Sequence, residues 1–133
     1  SYPDFFLSAE VRKVSGPEDM EYGLVFRMDG EQEIFYSIES SGAVSVSVRD
    51  KEGNWLPALF RGYSKSVKAG EPNKLVVIEQ QDHYTFCVNG EIVGEVVDSK
   101  YPYGVFGIGI ELENAGDEAV LEFDDFIIWS PTK

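Results

Sequence analysis

The chain holds one cysteine, Cys87, and one histidine, His83, in 133 residues. With a single thiol no intrachain disulfide can form and a site of four thiolates is excluded, so stability has to come from packing. Cys87 lies in the alternating run His83-Tyr84-Thr85-Phe86-Cys87-Val88, as a half-buried strand residue with little nearby to lower its pKa for redox or nucleophilic work. Any Ser-His-Asp or Cys-His arrangement would have to be built on His83, which opens a strand after Gln81-Asp82 and reads as a surface histidine. Positive charge is scarce as well: 11 Lys and Arg stand against 24 Asp and Glu, a formal net charge of -13. Nucleic acid and anionic membrane surfaces are poor partners for such a chain, whereas neutral or cationic ligands and divalent ions are tolerated. No apolar run reaches the roughly 18 residues of a membrane-spanning helix, and the start lacks the basic and apolar segments of a signal peptide. Ser1-Tyr2-Pro3-Asp4 leads almost directly into a strand, as expected of a domain excised from a larger secreted or membrane-anchored protein.

Helical periodicity is also missing, and period-two alternation takes its place from end to end. With 43% hydrophobic and 14% aromatic residues the chain can bury a core, and its length suits one domain over 1–133. The first strand is expected over Asp4 to Val14, with Phe5, Leu7, Ala9 and Val11 on one face. In the next three, Tyr22, Leu24 and Phe26, then Ile34, Tyr36 and Ile38, then Val44, Val46 and Val48 share a core face, the rhythm of antiparallel sheets with one side buried. Arg61 to Pro72 is the least regular stretch, and Pro57 confines the segment after it to an edge or loop. Beyond it Leu75, Val77 and Glu79 share a face, and Asn89-Gly90 joins two alternating runs in the manner of a type I′ hairpin. The next strand lies near Val105 to Leu112, and in the last one, Ala119 to Trp129, the alternation slips at Asp125 as a β-bulge would make it. About ten short strands with turn signals between them indicate an all-β fold of two antiparallel sheets packed face to face.

Four segments carry a resemblance. They are Ser15-Gly16-Pro17 with Tyr22-Gly23-Leu24-Val25-Phe26-Arg27; Gly53-Asn54-Trp55; Gly70-Glu71-Pro72-Asn73-Lys74-Leu75 with Val88-Asn89-Gly90-Glu91; and Phe123-Asp124-Asp125-Phe126. In this order and spacing the chain resembles the concanavalin A-like jelly-roll domains of the laminin-G-like and family 16 glycoside hydrolase-like (3-keto-disaccharide hydrolase-like) type, found in bacterial surface proteins. The resemblance implies a non-catalytic or sugar-related domain appended to larger secreted proteins, hydrolases or membrane-anchored kinases. Members of the group carry a further strand region ahead of the segment that resembles Asp4 to Val14, so the first edge is expected to be trimmed or completed by a strand from elsewhere.

No catalytic residue emerges. A retaining glycosidase needs two carboxylates about 5 Å apart on one strand face, and the nearest approach, Glu122 and Asp124, lacks that spacing. No metal ligands are assigned. Calcium is the one ion with candidate donors, in Glu111, Glu113, Asn114, Asp117 and Glu118 or in Asp124 and Asp125, and neither group has EF-hand spacing. Binding has better candidates. If the apolar members of the second to fourth strands point inward, Arg27, Phe35, Ser37, Ser45, Ser47 and Arg49 line the other face as an open polar floor. Two arginines there suit a hydroxylated or carboxylate-bearing glycan. Trp55, Tyr63, Tyr101 and Tyr103 fall in or beside loops, where a ring can stack on a sugar; for Trp55 the preferred expectation is a ring capping the core.

The expected function is therefore an extracytoplasmic binding module recognising a carbohydrate or cell-surface ligand. A structural, protein-interaction or sensor domain that self-associates through a strand edge is the alternative, and a glycoside hydrolase-like enzyme stands third.

Overall fold

The computed structural model describes residues 4–97 and 105–130. Among these none is helical, and the strands are β1 (Phe5–Ser15), β2 (Glu21–Asp29), β3 (Gln32–Ile38), β4 (Ala43–Arg49), β5 (Phe60–Tyr63), β6 (Asn73–Gln80), β7 (His83–Val88), β8 (Glu91–Val97), β9 (Val105–Glu111) and β10 (Val120–Trp129). They form two five-stranded sheets, a back sheet ordered β10-β1-β6-β7-β8 and a front sheet ordered β5-β4-β3-β2-β9. Every pairing is antiparallel. This is the all-β sandwich of two antiparallel sheets that the alternation predicts.

The core lies between the sheets because the alternating apolar side chains of both point there. The inward residues of β2, β3 and β4 named above are at most 2% exposed, and they meet Phe5, Leu7, Ala9 and Val11 of β1 and Leu75, Val77 and Phe86 of β6 and β7. Phe86 packs edge-on to Tyr36 at a centroid distance of 4.9 Å, and the Tyr36 hydroxyl donates to the Cys87 carbonyl at 2.7 Å, so a phenol in the core has its partner across the sheets. Cys87 is half-buried, and burial raises its thiol pKa.

The β7–β8 hairpin turns on Asn89 (φ 50°) and Gly90 (φ 87°), as a type I′ turn requires. Asn89 also accepts from the Lys74 amide through its side chain at 2.8 Å, tying the turn to the start of β6. Gly90→Val should lower stability by about 1 kcal/mol or more, since a β-branched residue is strained at positive φ; an unchanged melting temperature would contradict the turn assignment. The slip in β10 is a bulge: Asp125 has φ 52°, and the register with β1 shifts between Ser8↔Ile127 and Glu10↔Asp124.

Two expectations are corrected. β5 occupies the start of the stretch taken as irregular; its four residues include Gly62, too short a run for alternation to register, and it is an edge strand. β1 is an interior strand, paired with β10 on one side and β6 on the other, so the chain's last strand covers the edge that the resemblance left open.

Candidate functional site

Arg27 does not join the outward face. It has φ 53° in a bulge where β2 places Arg27 and Met28 against a single residue of β3, between the pairs Phe26↔Ile34 and Asp29↔Gln32. The extra residue reverses the alternation, and the side chain turns into the sandwich, where it is 3% exposed. Its guanidinium pairs with Glu79 of the back sheet and sits over the Phe5 ring at 5.1 Å, with the Tyr84 hydroxyl as the third polar member of the group. Burial raises the Glu79 carboxyl pKa, while the hydrogen bond from Arg27 opposes the shift.

The remaining candidates do share the outer face of the front sheet. Register sets Phe35 beside Ser47, Ser37 beside Ser45, and Glu33 beside Arg49. The floor is less open than alternation suggests. Ser37 and Ser45 are 1% and 7% exposed, their hydroxyls are 2.9 Å apart in a mutual hydrogen bond, and Ser45 also donates to Glu21 at 3.2 Å. Arg49 is committed too: its Nε donates to the Glu31 carbonyl at 3.0 Å, and its terminal nitrogens pair with Glu31 and Glu33.

Trp55 is brought to this face by the turn after β4. The Asp50 carboxylate accepts from the amides of Glu52 (3.0 Å) and Asn54 (2.9 Å), an Asx-type arrangement that reverses the chain. The chain then runs back along β4, with the Leu56 amide donating to the Val48 carbonyl at 2.9 Å. Trp55 is thus 44% exposed and does not cap the core; its ring lies 6.4 Å from Phe35 and 5.6 Å from the Arg49 guanidinium carbon. Phe35 and Arg49 hold the indole in place while one part of it faces solvent.

Three adjoining hollows make a groove across the front sheet. The middle one, about 170 Å³, is lined by Trp55, Phe35, Ser47, Glu21 and Arg61 among others. A hollow of about 380 Å³ shares Glu21 and Arg61 with it and extends over Ser37, Ser45 and Tyr63. A third, about 300 Å³, shares Phe35, Trp55 and Glu111 and extends towards Arg49 and β9. Arg61 and Glu111 escape a search of alternation within β2 to β4, since they belong to β5 and β9, whereas Glu21 opens β2 in phase with the outward Gly23 and Val25, so its place on this face is legible from alternation although it is absent from the candidates named above. Burial raises the Glu21 carboxyl pKa; the hydrogen bond from Ser45 and the charge of Arg61 oppose the shift, and Glu39 and Glu111 add to it. These charged groups therefore lie within electrostatic reach of one another across the groove.

Elsewhere, the β1–β10 register sets Glu10 against Asp124, so that carboxylate oxygens of Glu10, Asp124 and Asp125 lie within 4.8 Å of one another on the surface. No reading of one strand at a time finds this trio. Glu122 is engaged with Arg12 at 3.5 Å. In the acidic loop after β9, the Asn114 amide donates to the Asp117 carboxylate at 3.2 Å. The back sheet carries a hollow of about 570 Å³, lined mainly by apolar groups such as Phe6, Ile78, Ile127 and Trp129, with Asp4 and Gln80 among its polar neighbours. Tyr101 and Tyr103 lie outside the described residues.

The sequence matches no protein-family model and no curated protein. Solved structures do resemble the fold. A carbohydrate-binding module, CBM66, from Bacillus subtilis superposes with a TM-score of 0.73 at 14% identity, over 95% of this chain and 74% of that one. A variant of human galectin-16 gives 0.69 at 14% identity, over 98% of this chain and 90% of that one. The GH43 protein BlXynB of Bacillus licheniformis gives 0.67 at 12% identity, over 96% of this chain and 27% of that one. These likenesses establish the jelly-roll type of β-sandwich that the sequence resemblance implies.

Proposed function

We propose that the protein is a non-catalytic carbohydrate-binding module, an extracytoplasmic domain of a larger protein, with the sugar lying in the front-sheet groove against Trp55. The observation that carries this reading is the position of Trp55, braced by Phe35 and Arg49 and exposed where two hollows meet. A sugar offers an apolar C–H face and a rim of hydroxyls. The indole accepts the first, and Ser47, Glu21, Arg61 and Glu111 around it exchange hydrogen bonds with the second. The likeness to carbohydrate-binding modules and galectins supports the ligand class, and the laminin-G-like and family 16 resemblance supports a domain appended to a secreted or membrane-anchored parent.

A glycan array followed by calorimetric titration tests the reading. Trp55→Ala should weaken the best glycan by about tenfold or more, as loss of an aromatic anchor does. Stability should stay within about 0.5 kcal/mol, since the ring lies outside the core. Absence of binding to any glycan, or an unchanged affinity in the variant, would overturn the proposal.

The rival reading, a structural or protein-interaction domain, draws on one observation. Ile127 and Trp129, 50% and 61% exposed, present an apolar surface on the back sheet. If that surface mediates assembly, Trp129→Ala shifts the sedimentation profile of the protein and leaves glycan binding untouched.

A further inference from the structure

From the groove's charges we infer that it selects amine-bearing saccharides over neutral ones and rejects uronates, with Glu21 as the specificity-determining acceptor. The inference rests on the carbohydrate reading above and names the ligand class within it.

Arginine counts for less here than the sequence suggests. Arg27 lies inside the sandwich and paired with Glu79, and Arg49 is held by Glu31 and Glu33 with its guanidinium carbon 5.6 Å from the Trp55 ring. Arg61 is the cation that remains on the lining of the two hollows around Glu21. Against it stand Glu21, Glu39, Glu111 and Glu113, distributed over the same two hollows. A carboxylate-bearing sugar seated on Trp55 would meet this excess of like charge, whereas a protonated amine would be attracted by it.

Glu21 is the member built into the floor. It lines both hollows, it is half-buried, and it is oriented by the chain Ser37–Ser45–Glu21, in which Ser45 donates to Oε1 at 3.2 Å. A carboxylate accepts at both oxygens, so this anchoring leaves acceptor capacity directed into the groove. Glu39 and Glu111 repel the charge on Glu21, and a bound ammonium relieves that repulsion.

The test is a titration of the full chain with a panel of oligosaccharides of several linkages. Each is taken as its N-acetylated form and its de-N-acetylated form, beside uronate oligomers of similar length. Measurements are made at two pH values, about 6 and about 7, because burial raises the Glu21 carboxyl above its ordinary range. The expected order is amine above N-acetyl above uronate, with the amine advantage about tenfold and shrinking as salt is raised. Glu21→Gln, which keeps a side-chain oxygen for Ser45, should collapse the amine-to-neutral affinity ratio by about tenfold. Uronates binding as tightly as amines, or a ratio unmoved by Glu21→Gln in a variant that melts like the wild type, would overturn the inference. Neutral sugars bound without any amine preference would sink it alone. Silence across the whole panel would sink the carbohydrate reading with it.

Discussion

Glu79→Ala is expected to destabilise the domain by about 3–5 kcal/mol, the range for breaking a buried ion pair by removing one partner. The Glu79 side chain is fully buried on β6 and its Arg27 partner is 4% exposed on β2, so the pair bridges the two sheets through the interior. Without the carboxylate the guanidinium keeps its charge inside the sandwich beside Phe5, where the neutral Tyr84 hydroxyl cannot balance it. The double substitution Arg27→Met with Glu79→Leu removes both charges and should recover most of the loss, because the cost lies in the uncompensated charge rather than in the pair's net worth. Urea unfolding of wild type and both variants measures this. A Glu79→Ala protein within about 1 kcal/mol of wild type would mean that the pair is not desolvated as described.

Gly23→Ala should cost about 3 kcal/mol, at the upper end of what overpacking does. Gly23 lies in mid-β2, paired with Ser37 on one side and Gly109 on the other. A methyl group there would fall onto the Tyr36 carbonyl oxygen and within 3.1 Å of the Ser37 Cα, and backbone cannot step aside as a flexible side chain does. Separating β2 from β3 at this point would also move Ser37 and its hydroxyl partner Ser45 away from Glu21, so glycan affinity should fall with stability. Unchanged melting of Gly23→Ala would contradict the close β2–β3 approach.

Much of the sandwich is legible in the sequence because alternation and turn chemistry are local. The inward residues of β1 to β4, the Asn89-Gly90 hairpin and the bulge at Asp125 can be read from spacing alone. The features that escape are set by non-local contacts. Arg27 lies in phase with Val25, on the outer side, and only its bulge turns it inward. A signal existed on the other strand: Glu79 alternates with Leu75 and Val77, and an acid on a core face requires a partner. Trp55 comes after a turn whose direction depends on the Asp50 carboxylate and on hydrogen bonds back to β4, which composition does not encode. The acidic lining of the groove comes from Glu21, Glu39 and Glu111, which meet only when β3 pairs on one side of β2 and β9 on the other.

The most direct test of the front-sheet site is amide chemical-shift mapping during titration with the tightest oligosaccharide of the glycan screen. Perturbations should concentrate on the Trp55 indole N–H and on the amides of Phe35, Ser47 and Arg61, with the back sheet quiet. Shifts confined to the back sheet around Phe6, Ile78 and Trp129, or none on the front sheet at saturating sugar, would contradict the account.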